Sequence, residues 1–157
     1  MEYFIYLVPV FAIIGLIMMA LKAKWVIKQD AGDNNMQELA SHIKEGALAF
    51  LSAEYRVLII FVVIAGALLA VVSSFIESTS YFIVIAFVIG AFFSALAGNI
   101  GMRIATEANV RTTQAARTSL PDALKVSFTG GMVMGLGVAG LAVFGLSVIF
   151  IVLLQIF

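Results

Sequence analysis

The chain has 157 residues, no net charge and no cysteine, with 63% hydrophobic and 11% charged residues, against roughly 45–50% and 25% in soluble proteins. At a mean hydropathy of +1.14, it has too few charges to cover its apolar surface as a soluble fold. Disorder, a disulfide scaffold and a basic nucleic-acid binder are excluded by the same figures, which leaves a helical integral membrane protein.

The first uncharged run extends from Tyr3 to Leu21, with Pro9 in its first half. Glu2 precedes it, and Lys22, Lys24 and Lys28 follow. Those charges are reversed for a cleaved signal, so a retained span is expected. Residues 28–35 are polar and contain Gly32, which predicts a loop, with Asp33 or Asn34 placed to cap a helix. Met36, Leu39, Ile43, Ala47, Phe50 and Leu51 then recur at spacings suited to an amphipathic helix. Only Gly46 interrupts, at about 1 kcal/mol, before the second run, Val57 to Ile76. One helix is therefore predicted over about 35–75, roughly 60 Å long at 1.5 Å per residue.

Glu77 to Ser80 form a short turn, and the third run spans Tyr81 to Met102. Asn99 is its only strongly polar side chain and reads as an interhelical hydrogen-bonder. Ala105, Ala108, Thr112, Ala115 and Ala116 carry a small-residue stripe onward, and Arg117 suits the last turn. Ser119 to Asp122 reads as a capping box with Pro121 in the first turn. The fourth run, Val126 to Phe157, is longer than a bilayer needs. Gly90, Ser94 and Gly98 form one small-residue ladder, and Gly131 and Gly135 begin another that continues to Gly137, Gly140 and Gly145. Such faces pack helix on helix in lipid.

The predicted fold is all-α: an integral membrane bundle of four long transmembrane helices, two of which project beyond the bilayer. Its apolar stretches are continuous rather than alternating, unlike barrel strands. Lys22, Lys24, Lys28, Lys44 and Arg56 lie between spans one and two, and Arg103, Arg111, Arg117 and Lys125 between spans three and four. These are all the basic residues of the chain, so both segments are predicted cytoplasmic and both termini outside, in a plasma (inner) membrane.

No predicted hydrocarbon segment holds a charge, the usual mark of an intramembrane site. The single histidine, His42, lies near Lys44 and Glu45 and reads as solvated, as do Glu38, Glu45 and Glu54. Phosphate-loop and nucleophile-elbow motifs are absent. No catalytic, cofactor-binding or metal-binding residue is assigned from the sequence.

Residues 98–112 read GNIGMRIATEANVRT, followed by QAAR at 114–117. This stretch resembles the G-x-x-G-M-x-x-A-t-x-A-N-x-R-t…A-A-R segment of the membrane-integral, ion-pumping inorganic pyrophosphatases. It marks Gly101, Met102, Ala105, Ala108, Asn109, Arg111 and Arg117 as motif residues without an assigned role. EGALAFLSAEYR at 45–56, ALKVSF at 123–128 and GMVMGL at 131–136 are similar to further segments of that family, in the same order. The resemblance implies a far longer homodimeric pump that hydrolyses magnesium pyrophosphate and moves H⁺ or Na⁺. Mg²⁺ is implied for the parent pump and not for this segment, because the family's aspartate-rich stretches do not occur here. The implied partners are the lipid bilayer, the remaining helices of the pump and a second copy, with no nucleic acid. On this reading the chain is an N-terminal four-helix scaffold, inactive alone. A stand-alone four-span transporter or assembly subunit is the alternative, against which the uninterrupted centres of spans two and three weigh.

Overall fold

The computed structural model describes residues 5–75 and 82–156. It consists of α1 (Leu7–Ile27), α2 (Asn34–Phe75), α3 (Phe82–Ala116) and α4 (Leu120–Ile156), with no strand among the described residues. All four helices are long and apolar enough to cross a bilayer. The turn expected at 77–80, with Tyr3, Ile76, Tyr81 and Phe157 at the span ends, lies outside the described residues.

Local chemistry sets each boundary. Pro9 falls in the first turn of α1, where the missing N–H would have had no helical partner, so the helix is not interrupted. At the start of α2, Asp33 Oδ1 accepts the Met36 N–H at 3.0 Å, the expected N-cap. Gly32 precedes it at φ +82°, and a Cβ there would lie 2.7 Å from Met36 Sδ. The left-handed turn therefore suits glycine. α2 then runs unbroken through Gly46 and Gly66 for 42 residues. At α4, Ser119 Oγ accepts the Asp122 N–H at 3.2 Å and donates to Asp122 Oδ2 at 2.6 Å.

α4 packs against both α1 and α3, while α2 packs on α3 alone among the described residues. The interior is made of small and branched side chains, including Ala97, Ile104, Ala108, Val126 and Val133. Close approach depends on glycine. A Cβ at Gly130 would lie 2.7 Å from Ala108 Cβ, one at Gly137 3.0 Å from Met19 Sδ, and one at Gly140 2.7 Å from Leu16 Cδ2. Gly145 likewise admits Phe93, and Gly101 admits Met134. In lipid this van der Waals fit is a main source of cohesion between helices.

The register of that contact differs from the expected one. Gly131 and Gly135 are exposed, and a Cβ at Gly90, Gly98, Gly131 or Gly135 meets nothing within 4 Å. Ser94 is exposed too. The contacts with α1 and α3 place Gly130 and Gly137 inward instead, and helical spacing carries Gly131 and Gly135 onto a different face.

Candidate functional site

The densest polar chemistry sits where α3 extends past its apolar stretch. Glu107 lies five residues beyond Met102, outside the apolar run. Its Oε1 takes Lys44 Nζ of α2 at 2.6 Å, and its Oε2 takes Arg111 Nη1 of α3 at 2.6 Å. The Arg111 and Glu107 side chains are only 11% and 25% exposed, so these charge-assisted bonds are screened less than surface pairs. Partial burial pushes the Glu107 carboxyl up. The hydrogen bonds and charges of Lys44 and Arg111 outweigh it and hold the group below the usual glutamate range.

Arg111 also reaches across to α1. Its Nε donates to the Ile27 and Gln29 carbonyls, each at 3.2 Å. A cation there satisfies carbonyls that the ending helix leaves unpaired and complements its negative end. One turn on, Gln114 Nε2 donates to Asp30 Oδ2 at 3.0 Å. One turn further, Arg117 Nη1 donates to Asp33 Oδ2 at 2.9 Å. The Met36 N–H and then Arg117 hold the Asp33 carboxyl below its ordinary value. The last turns of α3, and Arg117 just past its end, thus grip successive residues of the α1–α2 loop.

Other links join the helices along their length. Tyr55 of α2 donates its hydroxyl to the Ala95 carbonyl at 2.8 Å. Lys125 of α4 sits 5.4 Å from the Trp25 ring centroid of α1, a cation–π contact. Asn99 does not bridge helices as expected; its Oδ1 accepts Arg103 Nε at 2.8 Å, because residues four apart share a helix face. His42 Nδ1 lies 3.9 Å from Glu45 Oε2, with both side chains well exposed.

Among the described residues, no three His, Asp or Glu side chains gather to hold a metal ion. Three acids of the polar end are engaged otherwise: Glu107 by two cations, Asp33 by a cap and Arg117, Asp30 by Gln114 and the Gly32 N–H. Mg²⁺ wants several hard oxygen ligands in near-octahedral array, and these residues do not fit it. The arrangement clamps helices.

The sequence matches the family model of the inorganic H⁺ pyrophosphatases over residues 13–156. The chain belongs to this family. It is 41% identical over 151 residues to a K⁺-insensitive pyrophosphate-energized proton pump of Methanosarcina mazei, covering 96% of this chain and 22% of that protein. A K⁺-insensitive pyrophosphate-energized proton pump 2 of Moorella thermoacetica is 40% identical over 144 residues, 92% of this chain and 20% of its own length. A K⁺-stimulated pyrophosphate-energized sodium pump of Thermotoga maritima is 38% identical over 129 residues, 81% of this chain and 17% of its own. The chain thus spans about a fifth of the length of these relatives. Like them, it is an integral membrane protein.

Several pyrophosphatase-motif residues gain a structural place. Gly101 and Ala108 make the close approaches to α4, Arg111 caps α1, and Arg117 anchors the loop. Asn109 is exposed, while Met102 and Ala105 are half-buried. Sequence reasoning did not single out Glu107, Lys44 or Asp30. The four-residue spacing from Glu107 to Arg111 is a local signal for one pair. Lys44 and Glu107 are 63 residues apart, and no periodicity links them.

Proposed function

We propose that this chain is the N-terminal scaffold part of a membrane pump that couples pyrophosphate hydrolysis to H⁺ or Na⁺ translocation. The observation that carries the proposal is a family match over nearly the whole chain alongside relatives about five times longer. The polar end supports a scaffold role, because Glu107 and Asp33 bind cations of the chain itself. In this reading the Mg²⁺ and pyrophosphate ligands come from the rest of the pump, which works as a homodimer. The split of basic residues supports placing the Lys44–Glu107 end in the cytoplasm, both termini outside, and the pump in the plasma membrane.

Membrane vesicles carrying three samples test the proposal by Mg²⁺-dependent phosphate release from pyrophosphate. The samples are this chain alone, a relative lacking the matching segment, and the two together. Activity is expected only from the pair. Release by the chain alone refutes the scaffold role, and an inert pair favours a stand-alone membrane protein.

A further inference from the structure

α3 and α4 close against each other through Gly101, Gly130 and Gly145, yet they leave a groove between them of about 480 Å³. Its α3 wall includes Gly90, Ser94 and Gly98, and its α4 wall includes Val138, Ala142 and Leu146. Gly131 and Gly135 lie seven residues before Val138 and Ala142, so they extend the same wall along α4. An apolar cavity of roughly 150 Å³ already admits a benzene ring, so this groove has room for several bulky side chains.

The glycines identify what is missing. Each glycine inside a helix costs about 1 kcal/mol relative to alanine. At Gly101, Gly130, Gly137, Gly140 and Gly145 a neighbour within the chain occupies the space a Cβ would take. At Gly90 and Gly98 no neighbour does, and both border this groove. Gly131 and Gly135, on the extension of its α4 wall, are equally bare, as are Gly15, Gly46 and Gly66 elsewhere. The stretch is uncharged and lies within the spanning parts of both helices. A close backbone approach there serves an apolar helix rather than a soluble ligand.

We infer that the α3–α4 groove seats a transmembrane helix from the part of the pump polypeptide outside these 157 residues, its bulky side chains against the Gly90–Ser94–Gly98 and Gly131–Gly135 ladders. This rests on the reading above that the chain is part of a longer pump. Relatives carry about four-fifths of their length beyond the matched segment, ample to supply such a helix. No charge borders the groove to steer a polar partner.

The test uses the full pump polypeptide that contains this sequence, in its membrane. This segment has no cysteine of its own; any elsewhere in the pump are replaced. Ser94→Cys is coupled to a short thiol-reactive benzophenone and irradiated, and the linked peptide is identified by mass spectrometry. The expected product keeps the monomer mass on a denaturing gel and joins residue 94 to a peptide outside residues 1–157. A product of dimer mass, or labelling of lipid alone, overturns the inference. Gly90→Cys probes the same wall should the first variant fold poorly. Pyrophosphate hydrolysis measured on membranes carrying the unsubstituted pump separates the two claims: an active pump whose labelled variant gives no such crosslink sinks the groove assignment alone, and an inactive unsubstituted pump sinks the functional reading.

Discussion

Glu107 is the residue on which the polar end turns, since it joins Lys44 of α2 to Arg111, the residue that holds the end of α1. Replacing it as Glu107→Gln leaves two cations without their counter-charge. The expected loss is about 1–3 kcal/mol, read as a lower melting temperature in detergent. Acid should act in the same way. Glu107 and Asp33 are depressed in the folded chain, so the unfolded chain binds more protons and stability rises with pH through that window. The contribution is complete above about pH 5 and drains away as pH falls through the folded values. Melting temperatures measured from pH 7 downward should fall in acid, and less steeply for Glu107→Gln than for the parent. At the glycine contacts, Gly140→Leu would drive a side chain into Leu16 and toward the Ala12 carbonyl, at a cost of about 1–3 kcal/mol. Gly135→Leu, which meets nothing within the chain, should leave the melting of the isolated chain unchanged. Equal melting of the two variants would show that the α1–α4 contact does not depend on Gly140.

At the scale of the helices, the ends were the most legible part. Asp33, Ser119 and Pro121 carry their signals within three residues of the boundaries they set, and the α2 start falls one residue from the expected position. Ser119→Ala should therefore cost about 1 kcal/mol by releasing the Asp122 N–H, while a Ser119→Asp variant, which can still cap, should melt close to the parent. The facing of the helices was less legible. A glycine ladder announces close packing, but adjacent positions such as Gly130 and Gly131 turn to different sides, and only the neighbouring helix decides which is used. The amphipathic stripe of α2 shows the same limit of local pattern. Leu51 is buried, whereas Leu39, Ile43 and Phe50 remain exposed, because α2 rests on a single partner. Contacts such as Lys44–Glu107 and Tyr55–Ala95 depend on how distant segments align, which no local spacing encodes.

For the molecule as a whole, the charge split predicts which side each end faces. With single cysteines in intact cells, an impermeant thiol reagent should label Ser78→Cys and spare Gln37→Cys; the reverse pattern would invert the orientation. The polar end also has a consequence for length. Arg111, Gln114 and Arg117 are spaced by about one helical turn each and hold residues 27 and 29, then 30, then 33. A turn advances about 5.4 Å, so α3 works as a ruler laid against the loop. Surface loops ordinarily absorb an extra residue at a few tenths of a kcal/mol. This one is graduated. A glycine inserted after Ala31 would push Asp33 past its mark at Arg117, and with it the capped first turn of a helix some 60 Å long. The inserted chain should melt earlier than the parent in detergent; identical melting would mean the segment is slack rope and the ruler measures nothing.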